Sequence, residues 1–218
     1  MKTTITRRFG WLVLLVAISV GAIVFSILVR TTPTAAENAS AVASPTVIAT
    51  VPVAGPLGVG VNPRTNLIYA ASQSNFVSVI DGVTNSVITT VYAPSLTGYG
   101  VAVNPQTNMI YAGGPNNVQV IDGKTNTVTA NIFLFGWSTG VAVNSQTNTI
   151  YVANSTNATV SVIDGKTSAL SATIDTVGSY ALYLAVNPTT NTVYVANYNN
   201  GTISVIDAST GEYLETLR

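Results

Sequence analysis

The chain has 218 residues, a formal net charge of zero and only 7% charged residues, against roughly 25% in an ordinary soluble domain. It contains no histidine and no cysteine, which excludes thiolate or imidazole metal ligands, an axial haem histidine and a cysteine nucleophile. The region from Thr46 onward is mildly acidic and has no cluster of lysine or arginine, so nucleic acid is not expected as a partner.

Residues 1–30 are predicted to be a membrane anchor or a signal segment. Trp11 to Val29 is a run of 19 residues without a charge, long enough to cross the hydrocarbon core as one transmembrane helix. Arg7 and Arg8 precede it, and the positive-inside bias then places everything after Arg30 outside the cell membrane. A cleaved signal peptide followed by secretion is the alternative, because Ala39-Ser40-Ala41 resembles a cleavage site.

Residues 31–45 are rich in alanine, threonine, serine and proline, and we expect a flexible linker there. The remaining residues, 46–218, repeat two phrases four times. The first phrase occupies 61–69, 103–111, 143–151 and 186–194, and the second occupies 77–82, 118–123, 160–165 and 203–208. The tyrosines that end the first phrase are 42, 40 and 43 residues apart. A period of about 40–45 residues with several short strands in each unit is typical of a β-propeller blade.

Each copy predicts four strands. In the third copy these are 140–144, 149–153, 160–163 and 170–174, separated by polar turns. The sequence therefore predicts an all-β propeller of four-stranded antiparallel blades, at about 57–92, 99–133, 139–175 and 182–217. The aspartate, asparagine and tyrosine that recur in every copy are predicted to be structural, because a catalytic group is needed only once. We expect no catalytic residue, metal or cofactor.

Tyr151-Val152-Ala153-Asn154 and Tyr194-Val195-Ala196-Asn197, together with the Val-Asn-Pro-x-Thr-Asn and Val-Ile-Asp-Gly phrases, resemble the YVTN family of β-propeller repeats. The resemblance spans Thr46 to Arg218. It implies an exported or surface-layer protein that acts as a binding or adhesion module, with a ring that usually has seven blades. Related propellers that are lactonases, lyases or cofactor-bearing reductases rely on histidine or on extra domains, and this sequence has no histidine.

The predicted ring is unfinished. Val47 to Val51 copies the outer-strand phrases at 87–91 and 128–132, so Thr46 to Val53 is predicted to be an orphan outer strand that belongs to no complete blade. Either the sequence is a fragment of a larger ring, which we favour, or two chains pair to complete one. In both cases the first and last blades would expose apolar faces and open edges, through which the chain could self-associate.

Candidate binding residues lie where the copies differ. Tyr99, Trp137, Tyr180 and Asn199 fall in loops that are predicted to emerge on one face. Aromatic side chains flanked by asparagine and serine suit a glycan or a protein loop as ligand. The competing interpretation is that Phe133, Phe135 and Trp137 are buried between blades, as large aromatic residues usually are.

Three functions remain open from the sequence. The leading hypothesis is a non-catalytic binding or adhesion module at the cell surface. The second is a carboxylate-dependent hydrolase or lyase, for which Asp175 is the one acid outside the repeated turn and the last outer strand. The third is an architectural surface-layer subunit without a ligand.

Overall fold

A computed structural model of the chain describes residues 46–96, 99–176 and 178–217. Its strands form four separate antiparallel sheets of four strands each, and the strands of every sheet pair in chain order. The prediction of an all-β fold built from four-stranded antiparallel blades is therefore confirmed.

The first blade contains β1 (Pro56–Asn62), β2 (Leu67–Ser72), β3 (Phe76–Asp81) and β4 (Ser86–Tyr92). The second contains β5 (Val101–Asn104), β6 (Met109–Gly113), β7 (Asn117–Asp122) and β8 (Thr127–Phe133). The third contains β9 (Ser138–Asn144), β10 (Thr149–Asn154), β11 (Thr159–Asp164) and β12 (Ala169–Asp175). The fourth contains β13 (Ala181–Asn187), β14 (Thr192–Asn197), β15 (Thr202–Asp207) and β16 (Tyr213–Leu217), with a 3-10 turn at Tyr198–Asn200.

Two predictions for the N-terminal region fall outside the described residues, namely the apolar segment 11–29 and the linker 31–45. In the part of the chain that the structure describes, no helix has the length and apolar character needed to span a membrane. The predicted orphan strand is wrong, because residues 46–53 form no strand and Val47 and Ile48 are exposed. None of the four described sheets pairs with this segment.

Strand alternation gives the row of blades two distinct faces. The β1–β2 and β3–β4 turns and their equivalents in the other blades lie on one side, which we call the turn face. The β2–β3 loops and the connections between blades lie on the other side, which we call the loop face. The innermost strands β1, β5, β9 and β13 pack side by side in that order.

The repeated asparagine and aspartate residues hold the turns of each blade in place. The asparagines that end the β1–β2 type turns, Asn66, Asn108, Asn148 and Asn191, all adopt left-handed backbone conformations, which asparagine tolerates better than most residues. The aspartate of each Asp-Gly turn accepts backbone N–H groups, as Asp81 does from Val83 and Thr84 at 2.8 Å each. These hydrogen bonds, first from Thr84 and then from Val83, hold the pKa of Asp81 below its usual value.

The apolar core lies between blades, in three separate clusters. Tyr69 and Val79 of the first blade pack with Ile110 and Ile121 of the second, and equivalent clusters join the second blade to the third and the third to the fourth. No buried cluster among the described residues joins the fourth blade back to the first. Each blade is therefore stabilised by its immediate neighbours in the chain.

A hydrogen bond between asparagine side chains crosses every one of these three junctions. The Nδ2 groups of Asn62, Asn104 and Asn144 donate to the Oδ1 atoms of Asn108, Asn148 and Asn191 in the next blade, at 2.6, 2.7 and 2.9 Å. The same donor residue uses its own Oδ1 to cap its turn, as Asn104 does for the N–H of Gln106 at 2.9 Å. Both asparagines of the Asn-Pro-x-Thr-Asn phrase are explained by this arrangement.

The repeated tyrosine points toward the Asp-Gly turn of the following blade. Tyr69, Tyr111 and Tyr151 are buried, and their pKa values are raised, chiefly because burial disfavours the phenolate. The negative charge of an aspartate in the next blade adds to this effect, from Asp122, Asp164 and Asp207 respectively. For Tyr111 the pKa rises from 10.0 to about 12.

The outward faces of the first and last blades are uncovered. Val101 and Val103 pack against the first blade, whereas their equivalents Val59 and Val61 in the first blade are exposed. At the other end of the row, Tyr194 is partly exposed although the equivalent tyrosines are buried. The described chain thus presents two blade surfaces that have the composition of an interface and no partner.

The contribution of the asparagine hydrogen bond across a junction to the free energy of unfolding can be measured with a pair of variants. Asn104→Ala removes both the turn cap and the bond to Asn148. Asn187→Ala removes only a turn cap, in which Asn187 Oδ1 accepts the N–H groups of Thr189 and Thr190. We expect Asn104→Ala to lower the free energy of unfolding by about 1 kcal/mol more than Asn187→Ala, the usual net worth of one such bond. Urea unfolding followed by circular dichroism measures both, and equal losses would contradict the assignment.

The raised tyrosine pKa values predict a loss of stability at alkaline pH. Below the ordinary tyrosine pKa of 10.0, the phenol is protonated in both the folded and the unfolded chain. As the pH rises from there to about 12, the unfolded chain releases the Tyr111 proton while the folded chain keeps it, which favours unfolding. The urea midpoint should fall across this interval, and it should fall less in Tyr111→Phe than in the parent chain.

Candidate binding site on the loop face

The structure places all four predicted site residues on the loop face. Tyr99, Trp137 and Tyr180 lie in the connections that precede the second, third and fourth blades, and Asn199 lies in the 3-10 turn between β14 and β15. Each connection is fastened at its start to the β2–β3 type loop of the blade it leaves. The N–H groups of Ala93, Leu134 and Thr176 donate to the carbonyl oxygens of Asn75, Asn116 and Ala158 at 2.8, 2.8 and 2.9 Å.

Trp137 and Tyr180 occupy equivalent positions in two successive connections. The Trp137 carbonyl accepts the N–H of Ser155 at 2.9 Å, and the Tyr180 carbonyl accepts the N–H of Tyr198 at 3.1 Å. In both cases the donor is the residue that follows the second strand of the next blade. These backbone hydrogen bonds therefore hold both aromatic residues at equivalent, fixed positions on the loop face.

Tyr180 belongs to a small cluster that sequence reasoning identified only in part. Its ring lies 6.1 Å from that of Tyr198, at 59°, a separation typical of a favourable aromatic pair. The N–H and hydroxyl of Ser179 both donate to Oδ1 of Asn200 at 2.8 Å, which ties the connection to the 3-10 turn. Asn199 lies between Tyr198 and Asn200 and is exposed.

The backbone of Tyr180 has φ 61°, which is rare and unfavourable for a bulky residue. Such conformations persist only where surrounding bonds impose them, and they cluster at functional sites. Here the carbonyl bond from Tyr198 and the Ser179–Asn200 bonds on the preceding residue impose it. These hydrogen bonds therefore hold Tyr180 and the 3-10 turn in one arrangement.

Trp137 is held by a different set of bonds. Its N–H donates to Oγ1 of Thr156 at 3.1 Å, and its carbonyl also accepts the hydroxyl of Ser155 at 3.2 Å. The preceding residue, Gly136, has φ 102°, and a Cβ atom there would lie 2.8 Å from Oγ1 of Thr156. Glycine at 136 is thus required for the loop to approach the Asn154–Asn157 loop closely enough to form these bonds.

The interpretation that the aromatic residues at 133–137 are core is wrong. Phe133 is 77% exposed, Phe135 is 80% exposed and Trp137 is 43% exposed. The buried residue in this stretch is Leu134, which enters the cluster between the second and third blades. Successive side chains from 133 to 135 point in alternate directions, so Leu134 is buried and the two phenylalanines are exposed.

Tyr99 stands apart from the other three residues. It is only partly exposed. It lies five residues before the asparagine that ends its inner strand, whereas Trp137 and Tyr180 each lie seven residues before theirs, so Tyr99 is not at the equivalent position. Tyr198, by contrast, is well exposed and pairs with Tyr180, but it was not among the predicted site residues. Its position in a loop that differs between the copies was the signal that could have identified it.

Charge is almost absent from the loop face. Among the described residues, charged side chains lie in the turns of the turn face except for Asp175, at the loop-face end of β12, and Glu215 within β16. No three acidic, histidine or cysteine side chains in the described ranges lie close enough together to hold a metal ion. The groups that this face exposes are therefore mainly aromatic rings and uncharged hydrogen-bonding groups.

A hollow of about 370 Å³ lies beside the first blade rather than at the aromatic cluster. Its walls include Pro52, Val53 and Ala54 from the segment before β1, with Phe76 and Val87 from β3 and β4. The hollow is on the uncovered side of the first blade, and none of the predicted site residues contributes to it.

Four-stranded antiparallel blades in a row, with inner strands side by side and cores between them, define a β-propeller protein. Residues 101–217, more than half of the chain, match the family model described as lactonase, 7-bladed beta-propeller. The chain belongs to that family.

No curated protein sequence matches the chain. Among solved structures it is similar to a chain of Kuenenia stuttgartiensis hydrazine synthase, with a TM-score of 0.68 and 22% sequence identity. The match covers 74% of this chain and 48% of that chain, so this chain spans about half the length of the structure it resembles. At that identity the likeness shows the fold alone.

The exposed position of the aromatic residues predicts that they contribute little to stability. We expect Trp137→Ala combined with Tyr180→Ala to change the free energy of unfolding by less than about 1 kcal/mol, as is usual for surface positions. The buried Tyr111 serves as the comparison, and its replacement by alanine should cost about 3–5 kcal/mol. Thermal unfolding of the parent chain, the double variant and the Tyr111→Ala variant measures this. Loss of the β-sheet signal in the double variant would show that Trp137 and Tyr180 are core residues.

Proposed function

We propose that this protein is a non-catalytic binding module, exported and anchored at the cell membrane, whose loop face binds an uncharged ligand rich in hydroxyl groups. The observation that carries the proposal is the exposed Tyr180–Tyr198 pair, which the Ser179–Asn200 bonds hold in place. Aromatic rings with polar tips give a large rigid contact area at a low entropic cost. A glycan or wall polymer offers the flat, uncharged faces that such rings stack on.

The neighbouring residues suit the same ligand. Asn199 is exposed beside the tyrosine pair and can both donate to and accept from sugar hydroxyls. Trp137 lies on the loop face at the equivalent position of the preceding connection, so it supplies a second stacking surface for an extended polymer. A protein loop is the alternative ligand, and YVTN-type adhesion at a surface layer is the setting that the sequence resemblance suggests.

The location rests on the sequence of the N-terminal segment. Trp11 to Val29 carries no charge and follows Lys2, Arg7 and Arg8, which supports a single membrane span with the propeller outside. Secretion after cleavage is the alternative. Either route exposes the loop face to surface polymers.

We further propose that the four blades are part of a larger ring, of seven blades as in the family model. The uncovered apolar faces of the first and fourth blades support this, since blades bury their faces only against neighbours. Pairing of two chains through these open faces is the alternative way of covering them.

Lactone hydrolysis is the second candidate function, and the family match favours it. The argument against this function is that the chain offers few carboxylates suited to act as a general base. Asp81 and Asp207 have lowered pKa values because they accept turn hydrogen bonds, from Thr84 and Ser209 first, and lowering the pKa of a carboxylate weakens it as a general base. Asp175 is the one acid at the loop-face end of a strand.

A neutral oligosaccharide array distinguishes these functions. We expect the parent chain to bind, Tyr180→Ala with Tyr198→Ala to reduce binding at least about tenfold, the loss of roughly 1.4 kcal/mol, and Tyr194→Ala on the uncovered fourth-blade face to leave it unchanged. Because the loop face lacks charge, affinity should vary little between about 0.05 and 0.5 M salt.

The same proteins should be assayed with a series of simple lactones. Hydrolysis by the parent chain that is lost in Asp175→Asn would favour the enzyme and overturn the binding module. Binding that falls steeply with salt, or survives the tyrosine changes, would show that another surface is responsible.

A further inference from the structure

The loop between β14 and β15 contains the one Asn-Gly pair of the sequence, Asn200-Gly201. Both residues are exposed, and the 3-10 turn that Asn200 ends contains no buried residue. A glycine nitrogen is the least hindered backbone nucleophile because glycine has no Cβ atom. The surroundings of Gly201 are open as well, since a Cβ atom built there would meet nothing within 4 Å. An asparagine side chain followed by such a nitrogen can cyclise onto it, which converts the asparagine into an acid.

The side-chain amide of Asn200 is polarised in the direction that this cyclisation needs. The N–H and the hydroxyl of Ser179 both donate to its Oδ1 at 2.8 Å. Attack on Cγ places negative charge on Oδ1, and donors at this distance stabilise a developing oxyanion. The hydrogen bonds that fasten the 3-10 turn to the preceding connection therefore also make Cγ of Asn200 a better electrophile.

The third blade offers a direct comparison. Its loop has Asn157-Ala158 where the fourth blade has Asn200-Gly201. The second residue is left-handed in both loops, with φ 55° at Ala158 and φ 62° at Gly201. Gly136 stands in the third-blade connection where the fourth has Ser179. The fourth-blade loop therefore combines an unhindered nitrogen with a hydroxyl donor, and the third-blade loop has neither the glycine nor the hydroxyl.

We propose that Asn200 is a site of spontaneous deamidation that alters the ligand site of the fourth blade. The Gly201 nitrogen forms a bond to Cγ of Asn200, its proton passes to the departing amide nitrogen, and ammonia leaves behind a cyclic succinimide. Water then opens this ring. Opening at Cγ yields aspartate, and opening at the main-chain carbonyl yields isoaspartate. The net reaction consumes one water, releases one ammonia and involves no oxidation or reduction.

The nitrogen reaches Cγ through a rotation of the backbone between Asn200 and Gly201. Because the 3-10 turn buries no residue, this rotation disturbs no core packing, and exposed turns of this kind open at a low cost in free energy. The blade itself stays intact, since β14 and β15 pair along their full length on either side of the loop.

Both products change the site that we assign to the ligand, and this consequence rests on the proposed function. Aspartate places a negative charge beside the Tyr180–Tyr198 pair, on a face whose exposed groups are mainly uncharged. Isoaspartate in addition lengthens the main chain of the turn by one methylene group, which shifts Tyr198 relative to the connection that carries Tyr180. An uncharged ligand that stacks on both rings therefore binds the older protein more weakly.

The test incubates the purified full chain in mildly alkaline buffer and follows the peptides that contain residues 157 and 200 by mass spectrometry. Deamidation replaces an NH2 group by OH, and an isoaspartyl methyltransferase labels the isoaspartate product. We expect modification at Asn200 and little at Asn157 in the same molecules. Gly201→Ala should nearly stop the reaction, and it should fold because Ala158 already adopts this backbone conformation in the third blade.

Two further variants separate the nucleophile from the amide. Ala158→Gly creates an Asn-Gly pair without the serine hydroxyl, and residue 157 should then react more slowly than Asn200 does in the parent chain. Ser179→Ala should slow the reaction at Asn200 at least about threefold, a small part of the effect of an oxyanion donor in an enclosed site, because this one is exposed to water.

The opposite results would overturn the proposal. A faster reaction in Ser179→Ala would show that the hydrogen bonds hold the turn against cyclisation instead of assisting it. An Asn200 that stays unmodified while Asn157 reacts in Ala158→Gly would show that the fourth-blade loop protects its asparagine.

Binding of the incubated protein to the neutral oligosaccharide array tests the consequence separately. We expect the deamidated fraction to bind at least about threefold more weakly than fresh protein, because the new charge has to lose water beside the ligand. Incubated Gly201→Ala should keep its initial affinity. Equal binding by fresh and deamidated protein would overturn the effect on the site. A parent chain that binds no oligosaccharide would contradict the proposed function alone, because the mass measurement does not depend on a ligand.

Discussion

Every other feature of this protein depends on the junction between neighbouring blades. A blade has two apolar faces, and the structure buries them only against the next blade, as with Tyr69 and Ile110. The asparagine hydrogen bond fixes the register of each junction, because the donor of one blade meets the turn asparagine of the next. Burial supplies most of the free energy and the hydrogen bond supplies the specificity. The strict repetition of the sequence on the turn face follows from this requirement.

The loop face is free to vary because no residue on it is needed at every junction. Its connections are fastened through backbone groups, such as the Tyr180 carbonyl and the Tyr198 N–H, and backbone bonds place few demands on the side chains. Aromatic residues can therefore stand at the equivalent positions 137 and 180 without disturbing the blades. The same separation explains how one face can carry the charged turns while the other carries rings and amides.

Much of the fold could be predicted from the sequence, and the reasons for the failures are physical. The tyrosine period and the two repeated phrases locate all four blades, because each phrase encodes strands and turns by local residue preference. The asparagine bond could not be predicted, since its partners are 44 residues apart in the case of Asn104 and Asn148 and local patterns carry no information about them. Residues 46–53 have strand-like composition, but they pair with no described sheet, and local composition carries no information about pairing. Phe133 and Phe135 are exposed although they are hydrophobic, because they lie at and just after the end of β8 and alternate with the buried Leu134.

The two uncovered faces are not equivalent. Gly100 immediately precedes the inner strand of the second blade, and Gly140 is the equivalent residue within that of the third. An added Cβ would lie 2.6 Å from the carbonyl oxygen of Thr139 at the first and 2.8 Å from Cα of Tyr183 at the second. These are distances to backbone, which cannot move aside cheaply. The fourth blade carries Tyr183 at this position. If a further blade packed against the fourth at the spacing of the first three junctions, the backbone of its inner strand would collide with Cβ of Tyr183. Any neighbour of the fourth blade must therefore stand further out, with the tyrosine ring filling part of the gap.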